Sequence, residues 1–172
     1  MRNLQSVDLT ELALDYDAKR RMESQDFEKL LGYMLHYGKV EGDALEIGCG
    51  PGYYLAPLAQ RLPKTGFYGV DITDAMLASA KDKMHQQALT NCSVAKGDAH
   101  YLPFVDHAFN FVLMSQVLHY FENLPMVIAE VYRVTKAEAR VLVVTSSHLQ
   151  LKGQLDIALF PGLAKRDTAR IP

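Results

Sequence analysis

The sequence has 172 residues, of which 49% are hydrophobic and 22% are charged, and its formal net charge is −2. This size and apolar content predict one globular domain with a substantial core. Lys and Arg are scattered along the chain, so the composition lends no support to a nucleic-acid partner or to a basic membrane-binding patch.

The cysteines and the first residues of the sequence indicate the cellular compartment of the protein. Cys49 and Cys92 lie far apart without metal-type spacing, so we interpret them as reduced thiols rather than as a disulfide. The polar start, MRNLQSVDLTELALDYD, lacks the apolar segment of a signal peptide. No apolar run reaches the roughly 20 residues that cross a bilayer. Together these features predict a cytoplasmic protein.

In chain order, a helix is predicted first, because apolar residues recur at helical spacing: Phe27, Leu30, Leu31, Met34 and Leu35. Strand-like and helix-like stretches then alternate: ALEIG, YLAPLAQRL, FYGVD, TDAMLASAKDKM, CSVAKGD, FNFVLMS, LPMVIAEVYRV and RVLVVTSS. Short apolar runs between amphipathic helices are typical of a parallel sheet covered on both faces. The predicted fold class is therefore α/β.

Three local features refine this prediction. Pro57 is compatible with a helix that begins at Tyr54, because a proline in the first turn removes no intrahelical hydrogen bond. Asn123 is a candidate N-cap for the helix that follows it. The segment between Asp98 and Phe109 is too short for a crossover helix, since roughly 11 residues reach at most about 40 Å. We expect it to run nearly straight back across the sheet.

Polar residues and glycines follow the predicted strands at the points where each strand ends. In chain order they are Glu46 with Gly48, Gly50 and Gly52, then Asp71, then Asp98, and then Ser115 with Gln116. The carboxyl ends of parallel strands form one edge of an open sheet, where ligands bind. One acid in such a place is more often a solvated turn or a helix cap. The recurrence at successive strand ends favours a binding site.

These residues limit the chemical class of the ligand. Asp71 follows the glycines by roughly the 20 residues that place an acid on ribose hydroxyls. The spacing is G-x-G-x-G rather than the G-x-G-x-x-G of dinucleotide sites, which argues against a nicotinamide dehydrogenase, and the ATP phosphate loop is absent. Glu46 would repel pyrophosphate and attract an ammonium group. A nucleoside joined to an amino acid fits best, and S-adenosylmethionine is that molecule.

The motifs LEIGCGPG, GVDITDAML, GDAHYLPF, FNFVLMSQVLHYF and EVYRVTK stand in one order and spacing. In these motifs the chain resembles the class I S-adenosylmethionine-dependent methyltransferases, in particular the small-molecule type, over residues 45–146. The resemblance implies a Rossmann-like sheet and in-line methyl transfer to a small-molecule acceptor. A non-catalytic domain that binds S-adenosylmethionine or a partner, or an inactive truncated enzyme, is the alternative.

The resemblance also implies which residues bind the cofactor: Glu46, Gly48, Cys49, Gly50, Gly52, Asp71, Ile72, Met76, Asp98, Ala99 and Ser115. The glycines and Cys49 would wrap the methionine part, with Glu46 near its ammonium group and the Ser115 backbone touching the same end. Asp71 would hold the ribose.

At the adenine end, the resemblance places Ile72 and Met76 against the ring. Asp98 would accept a hydrogen bond from the adenine amino group, and the Ala99 backbone N–H would donate to the ring. No metal ligand is predicted.

The catalytic predictions are fewer. His119 is a candidate general base, because the ordinary pKa of a histidine side chain lies near neutrality, although a packed or hydrogen-bonded histidine is the ordinary alternative. Tyr16 is a candidate lid residue over the cofactor. Cys49 is not expected to be a nucleophile, since no histidine stands beside it in the sequence.

Two departures from the family pattern concern the C-terminal part. Ala137, Glu138 and Ala139 replace a usual Pro-Gly-Gly stretch, and without glycine this turn is expected to avoid positive φ. After VLVVTSS the chain is too short for a helix and the two further strands of the family. The strand VLVV is then predicted at a sheet edge, either covered by the tail, paired with a second copy in a homo-oligomer, or left by truncation.

These patterns divide the chain into three parts. Residues 1–40 are predicted to be an N-terminal helical lid segment, residues 41–146 the cofactor-binding core, and residues 147–172 a C-terminal tail.

Overall fold

The computed structural model describes residues 24–145. Its helices are α1 (Ser24–Gly38), α2 (Leu55–Arg61), α3 (Asp74–Gln86) and α4 (Leu124–Val134), with a short 3-10 helix at Leu118–Tyr120. Its strands are β1 (Ala44–Ile47), β2 (Phe67–Asp71), β3 (Cys92–Lys96), β4 (Phe109–Ser115) and β5 (Thr135–Val144). Tyr16 and residues 147–172 lie outside the described residues.

The five strands form one sheet in the order β3-β2-β1-β4-β5, and every pairing is parallel. This confirms the predicted α/β class. The strand order reverses at β1, which pairs with β2 on one side and β4 on the other. In sheets of this kind a ligand crevice opens at such a reversal, outside the carboxyl ends of the strands.

Helices cover both faces of the sheet, as the alternating pattern predicted. Leu31 and Met34 of α1 are buried in one apolar cluster, which also includes residues of α2 and α3. Val127 and Val131 of α4 belong to a second cluster on the other face. Helix α1 therefore packs as part of the core, and the lid role of residues 1–40 stays a prediction.

The two predicted helix starts are confirmed. Tyr54 is the N-cap of α2, so Pro57 is the third helical residue, where its missing N–H costs no intrahelical bond. Asn123 caps α4, and its side-chain oxygen accepts a hydrogen bond from the Met126 backbone N–H at 3.2 Å. Both features orient helices that border the strand ends.

The connection from β3 to β4 contains no helix in the described structure, as its length predicted. Arg133 of α4 holds it in place, donating to the carbonyl oxygens of Phe104 at 2.7 Å and Leu102 at 3.0 Å. It also forms ion pairs with Glu130 and Asp106. Glu130 in turn accepts a hydrogen bond from the Leu102 N–H at 2.7 Å. Side chains of α4 thus satisfy three backbone groups of a segment that contains no helix.

Replacing this arginine is expected to cost stability. Arg133→Met removes the side-chain donor of two carbonyl oxygens and the ion-pair partner of Glu130 and Asp106, which should lower the free energy of unfolding by about 1–3 kcal/mol. Urea denaturation followed by circular dichroism measures this. Lys29→Ala is the control, because its ion pair with Asp26 is exposed and should contribute less than about 0.5 kcal/mol. Equal midpoints for the two variants would refute the role given to Arg133.

The expectation for residues 137–139 was wrong. Glu138 has φ of +68° although it is not glycine, and it lies inside β5 rather than in a turn between elements. Phe109 pairs with Thr135 and Phe111 pairs with Arg140, so β5 carries extra residues at a bulge. A bulge lets the strand continue with a locally strained residue. Beyond it, β5 is an edge strand within the described residues, as predicted, with Val141 and Val143 exposed.

Candidate functional site

The carboxyl ends of the strands meet at one edge of the sheet. Ile47, the last residue of β1, pairs with Val70 of β2 and with Met114 of β4. The residues that follow these three, which are Gly48, Asp71 and Ser115, therefore stand at the same level on neighbouring strands. The predicted site residues at these strand ends are thus neighbours in the fold.

The three glycines form the loop between β1 and α2, and each adopts a left-handed backbone. Their φ values are +71° at Gly48, +52° at Gly50 and +74° at Gly52. A residue with a Cβ is strained in the left-handed conformation, which explains why glycine occupies these three positions. A Cβ on Gly48 would collide with Val117, whereas one on Gly50 would meet no atom within 4 Å. The loop is thus closed at Gly48 by Val117, which follows β4, and open at Gly50.

Asp71 holds this loop. Its Oδ2 accepts a hydrogen bond from the Gly50 N–H at 2.9 Å, and its Oδ1 accepts one from the Thr73 N–H at 2.9 Å. The carboxylate therefore joins the end of β2 to the glycine loop. Each carboxylate oxygen has a second lone pair, so these bonds leave acceptor capacity for another donor.

Glu46 lies beneath the loop, and its side chain is 3% exposed. It accepts a hydrogen bond from the Leu55 N–H at the start of α2. Among residues 24–145 no group lies within hydrogen-bond distance of Glu46 Oε2. A buried carboxylate oxygen without a partner is energetically costly, so its retention points to a ligand that supplies one.

The electrostatic environment of Glu46 also favours a positively charged ligand at Oε2. Burial raises the pKa of the Glu46 carboxyl well above its ordinary value of 4.5, and the charge of Asp71 raises it further. The Leu55 hydrogen bond and the Lys83 ammonium group act in the opposite direction. A cation bound next to Oε2 would favour the ionised form.

Cys49, between Gly48 and Gly50, is buried in the apolar cluster that includes residues of α1, α2 and α3. Burial raises the pKa of its thiol well above the usual range, and the charges of Glu46 and Asp71 raise it further. Burial likewise raises the pKa of Cys92 to about 12. Both cysteines are free. A protonated, buried thiol is a poor nucleophile.

Asp98 stands just beyond β3 and is joined to His100. Its Oδ1 accepts hydrogen bonds from the His100 backbone N–H at 2.9 Å and from the ring Nδ1 at 2.6 Å. Burial raises the pKa of Asp98, but the two hydrogen bonds from His100, and the charge of this ring when it is protonated, outweigh burial and leave the pKa below its usual value. Ala99, between them, is buried in the apolar cluster on the α4 face.

The remaining predicted residues surround this edge. Ile72 is 61% exposed directly after Asp71, whereas Met76 is buried in α3. Ser115 is buried, and no group in the described part of the chain lies within hydrogen-bond distance of its Oγ. His119 is half-buried in the 3-10 helix, with its ring centroid 4.1 Å from that of Tyr120.

Sequence reasoning missed three residues near this edge. Lys83 acts on Glu46 from α3, where it lies three residues after the buried Ala80 and so on nearly the same helix face. Val117 fills the space behind Gly48. His100 binds Asp98, and its place two residues later is the spacing at which a side chain can bond back to an acid.

The described part of the chain contains neither a candidate metal site nor a membrane-spanning helix. Residues 24–145 contain no group of three or more His, Cys, Asp or Glu side chains arranged to hold a metal ion. No helix in the same range has the length and apolar character that spanning a membrane requires.

Comparison with known proteins identifies the family. The methyltransferase domain profile matches residues 45–143, more than half of the chain. The chain belongs to the methyltransferase domain family. The matched range begins at β1 and ends within β5, so it includes the glycine loop and all five strands of this methyltransferase domain.

Individual relatives agree with this assignment. The malonyl-[acyl-carrier protein] O-methyltransferase of Legionella pneumophila is 30% identical over 120 residues, which are 70% of this chain and 42% of the relative. The demethylmenaquinone methyltransferase of a Geobacillus species is 30% identical over 111 residues, 64% of this chain and 47% of the relative. The methyltransferase domain therefore spans less than half the length of either relative.

A solved structure supports the fold. The S-adenosylmethionine-dependent methyltransferase from Aquifex aeolicus superposes with a TM-score of 0.65 at 20% identity, covering 74% of this chain and 75% of that chain. At this identity the likeness shows the shared fold, in agreement with the predicted Rossmann-like sheet.

Proposed function

We propose that this methyltransferase domain binds S-adenosylmethionine and transfers its methyl group to a small-molecule acceptor. The observation that carries the proposal is the buried, unpartnered Oε2 of Glu46 beside a glycine loop that is open at Gly50. The family assignment supports the reaction class.

The residues present fit the methionine part of the cofactor. An α-ammonium group next to Glu46 would supply the partner that Oε2 lacks, and its charge would offset the cost of burying an ionised carboxylate. The missing side chain at Gly50 leaves room for the amino-acid portion to approach the backbone. A phosphate in the same place would face the charges of Glu46 and Asp71, which disfavours nucleotide phosphates.

The nucleoside part fits the next two strand ends. Asp71 has lone pairs left for the ribose hydroxyls after binding Gly50 and Thr73. Asp98 uses only Oδ1 for His100, so Oδ2 can accept from the adenine amino group. The exposed Ile72 side chain would be covered by the adenine ring.

When bound, the cofactor supplies a methyl carbon that its sulfonium makes electrophilic. The protein's contribution is then mainly to align the acceptor atom behind that carbon. A general base is needed only for acceptors that must lose a proton. The absence of an obligatory catalytic motif in the sequence agrees with this chemistry.

Transfer itself tests the proposal. The chain is incubated with methyl-labelled S-adenosylmethionine and a panel of acceptors that includes a malonyl-acyl carrier and a demethylated quinone, chosen from the names of its relatives. Label is expected in one class of acceptor. Absence of both transfer and cofactor binding would refute the proposed function.

His119 is the proposed base for acceptors that must lose a proton. It follows β4 at the same edge as the cofactor residues. His119→Gln should lower turnover by about 100-fold with cofactor affinity unchanged, because general-base catalysis contributes about 10²–10⁴ in rate. Single-turnover assays and calorimetry separate these two quantities. Undiminished turnover in His119→Gln would refute the proposed role of His119 as general base.

Cofactor binding without transfer is the second candidate function. The chain spans only 42% of the malonyl-carrier relative and 47% of the quinone relative. Binding without transfer, even in a chain extended at its C-terminus, would favour this second function. Labelled product from the chain as it stands would exclude it.

A further inference from the structure

His100 is held by hydrogen bonds at both ring nitrogens. Nδ1 lies 2.6 Å from Asp98 Oδ1, and Nε2 accepts from the Asn123 backbone N–H at 3.3 Å. The Phe121 ring packs edge-on against it at 6.1 Å between centroids. Its side chain is 18% exposed, whereas that of Asp98 is 46% exposed. The histidine is therefore the fixed member of the pair.

The Asn123 bond determines which nitrogen carries the proton. A backbone N–H can only donate, so Nε2 must be the acceptor in the neutral ring. The proton then sits on Nδ1, which donates to Asp98 Oδ1. Asn123 is itself held as the N-cap of α4, so the ring is anchored to a helix start.

Both donors from His100 fall on the same carboxylate oxygen. The backbone N–H and Nδ1–H both bind Oδ1, so the carboxylate is restrained through this one oxygen. These bonds leave Oδ2 of the half-exposed Asp98 side chain without a bond to His100. A half-exposed aspartate would otherwise sample several rotamers.

We propose that His100 is a positioning residue that presents Asp98 Oδ2 to the ligand and thereby makes the site select 6-aminopurine over 6-oxopurine nucleosides. This inference rests on the proposed function. An adenine amino group donates to a fixed carboxylate oxygen, whereas the 6-oxo group of hypoxanthine sets an acceptor against it. His100 acts through Asp98 and does not touch the ligand.

The test compares binding of S-adenosylhomocysteine with binding of its 6-oxo analogue, S-inosylhomocysteine, by calorimetry. The wild-type chain should prefer the amino form by about tenfold or more, since a site built around one hydrogen bond rejects the analogue that lacks its donor. His100→Leu should weaken S-adenosylhomocysteine binding about fivefold and reduce the preference below about threefold. His85→Leu, on the exposed face of α3, is the control and should keep both values.

Two conservative variants separate positioning from simple packing. The Asn amide nitrogen stands near the Nδ1 position, so His100→Asn should restore most of the preference. The Gln amide reaches the Nε2 position instead, so His100→Gln should behave as His100→Leu. In an Asp98→Asn background, His100→Leu should cause no further loss. Thermal unfolding of each variant reports whether the fold is kept.

The outcomes divide clearly. If the wild-type chain binds no S-adenosylhomocysteine, the proposed function fails. If it binds with the amino preference but the Leu and Gln variants keep that preference, only the role of His100 is overturned. A ¹⁵N spectrum showing the neutral His100 ring protonated at Nε2 would overturn that role as well.

Discussion

Glu46→Gln is expected to weaken S-adenosylhomocysteine binding by about 10–100-fold while leaving the fold at least as stable at neutral pH. The lost affinity reflects a charge-assisted hydrogen bond to an ammonium group. The retained stability follows from burial, because Gln replaces a carboxyl whose ionised form is disfavoured by burial. Binding and stability should therefore move in opposite directions.

The pH dependence has a definite sign. Because the pKa of Glu46 is raised well above its ordinary value of 4.5, the unfolded chain loses this proton at lower pH than the folded chain does. Over that interval the folded state binds more protons, so this group's contribution to stability falls as pH rises. The stability of Glu46→Gln relative to wild type should accordingly increase with pH above about 4.5.

Denaturant unfolding between pH 5 and pH 8, without ligand, measures this difference. Glu41→Gln is the matched control, because Glu41 is exposed and its replacement should give a constant difference across the range. If Glu46→Gln bound the ligand as tightly as wild type, Glu46 would not be the ammonium partner.

Asp71→Ala is expected to weaken cofactor binding by about 1.5–3 kcal/mol, or roughly 10–100-fold. The variant loses the carboxylate proposed for the ribose hydroxyls. It also loses the acceptor for the Gly50 and Thr73 N–H groups, so the glycine loop should become less ordered. Calorimetry gives the affinity, and amide hydrogen exchange at Gly50 reports the loop.

A neighbouring acid provides the control for this variant. Asp74 lies three residues later at the start of α3, is exposed, and pairs with Lys96. Asp74→Ala should leave affinity unchanged, so a loss confined to Asp71→Ala is specific to the site. Unchanged affinity in Asp71→Ala would overturn the ribose assignment.

Much of the fold and the position of the site could be predicted because the relevant signals are local. The alternation of strands and helices follows from periodicity, and the three glycines could be placed in a loop directly after the first strand, where the structure has them with positive φ values. The acids at strand ends could be placed because parallel strands align their carboxyl ends. None of these inferences required knowing a tertiary contact.

The features that were missed depend on contacts between distant residues. The bond from Gly50 to Asp71 spans 21 residues, and the bond from Asn123 to His100 spans 23. No periodicity encodes such pairings. The strained Glu138 was missed for a related reason, because the pairing of β4 with β5 overrides local preference at the bulge. The burial of Glu46 likewise follows from packing rather than from sequence position.

The central claim is that the acids and open backbone at this sheet edge bind a positively charged, phosphate-free adenosine derivative. A crystal structure with S-adenosylhomocysteine tests it most directly. We predict the ligand ammonium group next to Glu46, its ribose on Asp71 and its adenine amino group on Asp98. Ligand density at another place, or bound with adenine rather than the amino acid over the glycine loop, would contradict the claim.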